Sequence, residues 1–363
     1  MKTKILYSDE LGNYDFGPGH PFRSDRFTSF LKLYEEKLGR NKDFELVKNN
    51  EAASDEELEL WHTKDYIQAI KAASTGVTIP NLFRFISQDN VNPLTREFPK
   101  NIEKAARVIV KNSMLALDLV QGKRIERAVN IGGGLHHARS SYGEGFCVYN
   151  DVVVAARYAI KKYNLERILI LDTDAHAGNG TCEAFYSDPH VLFVDLHQRG
   201  IYPGTGYADE IGEGKGKGFT VNVPLAAGTS DESYEVIFDE IILPLAEEYR
   251  PEIVVRYGGS DPHPRDGITS LGLHLSGFKM IGEKVREISK LCENRSLDLI
   301  CSGYKPDVLA KVWLALIASL SGVQLELEEE ELAVKSDEML TETKDVIRKV
   351  KENLGPYWRS MKH

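Results

Sequence analysis

The stretch RILILDTDAHAGNG, residues 167–180, decides how the chain is read. It opens as a short β-prone apolar run. It then breaks into Asp172, Thr173, Asp174, Ala175 and His176, and leaves through Gly178, Asn179 and Gly180. An apolar run without polar alternation suits a strand covered on both faces. In doubly wound α/β sheets, ligands bind just beyond the carboxyl ends of such strands. If the backbone stays extended, residues 172, 174 and 176 point the same way. Two carboxylates and an imidazole on one face are costly to bury unless a cation neutralises them. Asp and His are natural zinc ligands. The plainer alternative is an Asp- and Asn-rich turn that caps the next helix.

Working outward, the same grammar repeats. Further strands are predicted at 4–7, 127–131, 191–196, 219–223, 252–257 and 297–301, with 167–171 among them. Helical patterns fall at 56–73, 102–120, 151–163, 231–249, 309–320 and 338–354, the fourth with a capping-box spacing from Thr229 to Glu232. This alternation predicts an α/β fold: one mostly parallel sheet flanked by helices on both faces. No repeat or Pro/Ser-rich linker divides the chain, so residues 1–363 read as one catalytic domain. Its motif-bearing core spans about 5–322, with an acidic segment and a helix at 323–363. The glycine-rich 212–218 lacks the ending of a phosphate loop and reads as a flexible turn. The acidic run 326–331 reads as a solvated loop or helix end.

Three other strand ends carry polar clusters. After 127–131 come three glycines and then His136 and His137; histidines beside a metal-bound water are natural general bases and acids. After 252–257 comes GGSDPHPRDG, residues 258–267, which either supplies a third metal ligand or is a plain turn. Three protein ligands with an open position is the catalytic pattern for zinc. After 297–301, Ser302 and Gly303 precede Tyr304, whose hydroxyl can face the same mouth or simply pack.

Composition narrows the classes. Lys and Arg number 45 against 55 Asp and Glu, a net charge of −10, which argues against coating nucleic acid. No sequence-specific nucleic-acid binding is expected. No apolar stretch is long enough to span a membrane. The N-terminus lacks a signal-peptide core, and the four cysteines have no CxxC spacing, so a cytoplasmic chain with reduced thiols is expected.

The ordered motifs GGGLHHA (132–138), GFCVYND (145–151), DTDAHAGNG (172–180), YPGTG (202–206) and D-x-H-x-x-D (261–266), with FGPGHPFRSDR (16–26), resemble the histone deacetylase family of zinc amidohydrolases. The matching stretch runs from about Tyr7 to Tyr304. The resemblance implies the arginase/deacetylase fold and a zinc bound by Asp174, His176 and Asp266. Fe²⁺ is an alternative, since one histidine and two carboxylates do not choose by geometry. It also implies that His136 and His137 flank the metal water, backed by Asp172 and Asn179, and that Tyr304 donates to the carbonyl oxygen. Phe146 and Tyr202 would wall a narrow channel, with Asp89 at its rim holding the substrate backbone. Arg26 would lie by an inner acetate cavity. A K⁺ or Na⁺ site would involve Asp172, Asp174, His176 and Asp195. The implied substrate is an acetylated amine, either protein N-acetyl-lysine or a small acetylated amine such as a polyamine.

The sequence departs from the family pattern at Ala177, where a second histidine is usual, and at Asn179, where aspartate is usual. Asp195 stands where serine is frequent, and the turn before Tyr304 is short. Two rivals remain. An arginase-like two-manganese ureohydrolase wants a carboxylate at Gly178 and D-x-D in the later loop. A non-catalytic acetyl-lysine binder on the same fold can lose ligands, and here the metal ligands, both histidines and Tyr304 are present.

Overall fold

The computed structural model describes residues 3–122, 125–329 and 337–362. Eight strands form one sheet: β1 (Thr3–Tyr7), β2 (Phe44–Lys48), β3 (Arg127–Ile131), β4 (Ile168–Asp172), β5 (Val191–Gln198), β6 (Thr220–Leu225), β7 (Ile253–Tyr257) and β8 (Ser296–Ile300). Their order is β2-β1-β3-β8-β7-β4-β5-β6, and every neighbouring pair is parallel. The helices are α1 (Asp25–Lys37), α2 (Asp55–Leu58), α3 (Lys64–Ser74), α4 (Ile102–Gln121), α5 (Asp151–Tyr163), α6 (Asn179–Phe185), α7 (Asp231–Ile237), α8 (Leu243–Tyr249), α9 (Leu275–Ser289), α10 (Pro306–Leu320) and α11 (Leu340–Leu354).

The apolar strand runs are buried because each face meets its own layer. Along β4, Leu169 and Leu171 join one apolar cluster with α1, α9 and α10, while Ile168 and Ile170 join a second with α5 and the end of α4. The same alternation sorts Leu192, Val194 and Leu196 of β5 from Val191 and Phe193. This two-sided burial is what a continuous apolar strand requires.

Several expected elements differ. The stretch 56–73 is broken into α2 and α3, because the Thr63 side chain accepts from Tyr66 N and starts a new helix. The stretch 231–249 is α7 and α8 joined by a π-helical turn at Phe238–Ile242. Thr229 forms no capping box: its hydroxyl donates to Ala226 O. Ser230 is the N-cap, and Asp337 Oδ2 accepts from Ser230 N and Ser233 N instead. The turn 212–218 is pinned rather than loose, with Glu213 N donating to Tyr186 O and Gly218 N to Ile211 O. Of the acidic run 326–331, residues 330 and 331 lie outside the described residues. Glu329 is not simply solvated: His263 Nε2 lies 2.8 Å from Glu329 Oε1, and Leu275 N also donates to this carboxylate. No described helix is long and apolar enough to cross a membrane. The four cysteines are unpaired.

Candidate active site

The carboxyl ends of β3, β8, β7 and β4 lie side by side, and the four polar clusters follow these four strands. Register aligns them, with Ile131 opposite Ile300, Tyr257 opposite Leu299 and Asp172 opposite Tyr257. One narrow cavity of about 20 Å³ above them is lined by His136, His137, Phe146, Asp174, His176 and Tyr304, among others.

The loop after β3 is held from below. Asp151, at the start of α5, accepts from Gly134 N and Leu135 N, and Asn150 Nδ2 donates to His136 O and Ala138 O. Gly180 is required here, since a Cβ would sit within 2.7 Å of the carbonyl oxygens of residues 136, 137 and 138. The loop after β5 brings Tyr202, whose ring centroid lies 5.1 Å from that of His137.

His136 Nδ1 lies 2.9 Å from Asp172 Oδ2. Burial pulls this imidazole down, but Asp172 and Asp174 outweigh burial and hold it at about 9. His137 Nδ1 lies 2.7 Å from Asn179 Oδ1. Burial, then the neighbouring His136 and His176, hold His137 well below 6.5. The two adjacent histidines are thus pushed in opposite directions, His136 up by its carboxylate neighbours and His137 down by burial and its cationic neighbours.

His176 Nδ1 stands 3.1 Å from both Asp174 Oδ1 and Asp261 Oδ2. Among the described residues, these three side chains form the group whose ligand atoms are close enough to hold one metal ion. Asp266, the expected third ligand, is not in that group. Its Oδ2 accepts from Tyr304 N and Ser260 Oγ, so it braces the turn that carries Tyr304. Its Oδ1, however, is buried without a partner and so is left for an ion, whereas the oxygens of Asp261 are met by His176 Nδ1 and by Ser302 Oγ, which donates to Oδ1 at 2.7 Å. The donor set fits a divalent cation. A single imidazole N–H cannot satisfy two buried carboxylates at once, and the remaining negative charge needs a cation.

The other expected residues fall around this centre. Phe146 is held at φ +66°, a strained position for a bulky residue, by Phe146 N donating to Asn90 Oδ1 and Tyr14 Oη donating to Phe146 O. Its ring lies 5.9 Å from that of Tyr304. Burial pushes the Tyr304 phenol well above 10. Asp89 Oδ2 accepts from Gly145 N, while its Oδ1 is buried without a partner. Arg26 is buried behind Tyr304, with Nη1 donating to Cys301 O and the guanidinium 3.6 Å over the Phe22 ring. Asp195 pairs with Asp172 in register, but its charge has partners: Gly178 N donates to Oδ2, and His197 Nδ1 lies 2.8 Å from Oδ1.

Sequence reading missed Asp151, Asn150, Ser302 and Glu144. The first two close the GFCVYND motif, and that signal was visible. Ser302 and Glu144 have no distinguishing pattern.

A family model described as the histone deacetylase domain matches residues 20–320. A protein named probable deacetylase from Archaeoglobus fulgidus is 33% identical over the whole of both chains. The acetoin utilization protein AcuC of Staphylococcus aureus is 35% identical over 87% of this chain and 82% of its own. In three dimensions, the crystal structure of the HDA15 HD domain matches 99% of this chain and 97% of that one, with a TM-score of 0.84 at 23% identity, which shows the shared arginase/deacetylase-like fold. By the extent of the family match and of these relatives, the chain belongs to the histone deacetylase family.

Proposed function

We propose that the protein is a metal-dependent amidohydrolase that removes the acetyl group from an acetylated primary amine, protein N-acetyl-lysine or a small acetylated amine such as a polyamine. The observation that carries this reading is the convergence of Asp174, His176, His136, His137 and Tyr304 on one narrow cavity, with Asp261 packed against His176 behind it. The name of the archaeal relative, probable deacetylase, supports the same chemistry.

A divalent ion, zinc or ferrous iron, held by Asp174 and His176 with Asp266 through its unpartnered Oδ1, or with Asp261, would polarise the acetyl carbonyl and acidify the attacking water. The chain's own groups do the rest. His137 is neutral with its Nδ1 proton turned to Asn179, so Nε2 is free to take the water's proton. His136, kept protonated beside Asp172, sits next to it to protonate the departing amine. Tyr304 retains its phenolic proton and donates it to the developing oxyanion. Phe146 and Tyr202 wall the approach and exclude water. Asp89, whose Oδ1 has no partner, would accept an N–H from the substrate at the rim. A two-metal ureohydrolase has no room for its extra ligand: a Cβ at position 178 would lie 2.5 Å from Asp172 Oδ2 and from Tyr257 Oη.

The test is a turnover panel of acetyl-lysine peptides, acetylputrescine and acetylspermidine on zinc- or iron-loaded protein. Acetate release from at least one, abolished by chelator and restored by metal, is expected. His137→Ala should lower kcat by about 10²–10⁴-fold. Metal-loaded protein that cleaves none of these substrates overturns the reading.

A further inference from the structure

Glu144 lies outside every assignment made so far, yet it touches the base assembly from behind. Asn179 presents its amide oxygen to His137 Nδ1 at 2.7 Å. An amide oxygen only accepts, so Nδ1 carries the proton and Nε2 the lone pair. Nothing in Asn179 itself fixes that direction, because an amide turned by half a revolution would offer NH₂ to His137. Glu144 fixes it: Asn179 Nδ2 donates to Glu144 Oε1 at 2.9 Å, and a carboxylate only accepts.

Glu144 is itself held rigidly. Its side chain is 14% exposed, Arg139 Nε donates to Oε1 at 2.6 Å, and Tyr202 Oη donates to Oε2 at 3.0 Å. Arg139 Nη1 in turn donates to Glu183. The next residue, Gly145, is pinned by Asp89, and a Cβ there would lie 2.2 Å from His137 Cδ2. The segment bearing Glu144 is therefore packed directly against the imidazole.

We propose that Glu144 is a positioning residue that orients Asn179 and, through its amide, supplies the carboxylate that the His137 dyad lacks. The sequence places asparagine where a direct histidine–carboxylate pair needs aspartate. The structure restores the charge one side chain further out, as His137–Asn179–Glu144. Arg139 offsets part of that charge, so orientation is the larger share of the effect. This inference rests on the deacetylase reading for its consequence in turnover, but not for its geometry.

The experiment compares Glu144→Gln, Glu144→Ala, Asn179→Asp and the double variant Asn179→Asp/Glu144→Gln. Loss of the carboxylate should lower kcat roughly 3–10-fold in the glutamine variant and roughly 10–100-fold in the alanine variant, with KM little changed. Asp at 179 would stand against Glu144 where an N–H now points, so that single variant should also be impaired. Adding Glu144→Gln supplies an N–H to Asp at 179, and the double variant should recover toward wild type. A merely structural Glu144 predicts compounded losses instead. Histidine ¹⁵N spectra give a readout independent of turnover: His137 should be an Nδ1–H tautomer in the wild type and mixed in Glu144→Ala. If the wild type hydrolyses no acetylated amine, the functional reading fails while these spectra still decide the positioning role. Should Glu144→Ala fail to fold, the glutamine variant and the double variant carry the test. A wild-type kcat in Glu144→Gln, an unchanged tautomer in Glu144→Ala, or a double variant no better than Asn179→Asp overturns the proposal.

Discussion

Asp261 and Asp266 sit on one loop after β7, and their neighbours separate their work. Asp261 Oδ2 meets His176 Nδ1 and its Oδ1 accepts from Ser302 Oγ, whereas Asp266 Oδ2 accepts from Tyr304 N–H and Ser260 Oγ–H and its Oδ1 is buried without a partner. Asp266→Ala should therefore lose tightly bound divalent metal, since it removes the oxygen that no protein donor meets, and should loosen the Tyr304 turn as well. Asp261→Ala should keep more of the metal, because both its oxygens have protein partners. Metal per chain after dialysis decides between them, and the reverse pattern would put Asp261 on the metal. At this scale the sequence was informative wherever a polar residue follows a strand, as with Asp172, Asp174, His176 and the histidine pair. It was uninformative where two carboxylates share one turn, since spacing does not say which rotates inward. A second residue-scale prediction concerns His62, which is buried with Asn150 N–H donating to its Nε2 and Nδ1 facing Arg139 O. Burial lowers this imidazole to about 3, against 6.5 when unfolded. The unfolded chain thus binds the extra proton between those values, and stability present above pH 6.5 is lost as pH falls. Between pH 7.5 and 5 this amounts to about 2 kcal/mol. Urea titrations at the two pH values should show His62→Gln with the smaller difference. An equal pH dependence in wild type and variant would remove His62 from the account.

Element boundaries depend on partners that sequence windows do not contain. Strand β3 and helix α5 were legible to the residue, because each is a strong local pattern bounded by clear polar signals. The break between α2 and α3 was not, since amphipathic spacing continues across it and only the Thr63 cap interrupts the backbone. Strand β2 is short, only partly buried and at the sheet edge, so its apolar signal is weak. The start of α7 is the clearest case of remote control. Its free N–H groups are met by Asp337, more than a hundred residues further along the chain, rather than by the local Thr229. A carboxylate at a helix N-terminus also meets the positive end of the helix dipole. Asp337→Ala should cost about 1–2 kcal/mol by denaturant unfolding. Thr229→Val should leave the α7 amides as protected from exchange as before, whereas Asp337→Ala should expose them. If Thr229→Val exposes them and Asp337→Ala does not, the local cap is the operative one.

At the scale of the whole molecule, the site exists because chain order and spatial order differ. β7 and β8 are late in sequence but insert between β3 and β4, which brings all four polar loops to one place. Parallel alternation foretold a sheet with ligands at its carboxyl edge; nothing local foretold this insertion, which depends on pairing between distant segments. The inserted strands are joined by more than their ladder. Arg256 and Asp298 face each other in register and are both buried, with Nε donating to Oδ2 at 3.1 Å and Nη2 to Oδ1 at 2.5 Å. Arg256 Nη1 also donates to Thr173 Oγ1, between the two aspartates of the β4 loop. Burying both charges costs desolvation that their attraction only about recovers, so the pair contributes little net stability while making each partner dependent on the other. Asp298→Asn should therefore destabilise by about 3–5 kcal/mol, because it strands a buried guanidinium. Replacing both, as Arg256→Met with Asp298→Leu, should return most of that stability. The same double variant removes the guanidinium bond from Thr173, which keeps only its bonds to Tyr257 O, so its divalent-metal affinity should fall although its melting temperature recovers. Recovery of both would leave the pair a packing feature of the sheet; recovery of stability alone would make it the link through which the late strands fix the geometry of the early loop.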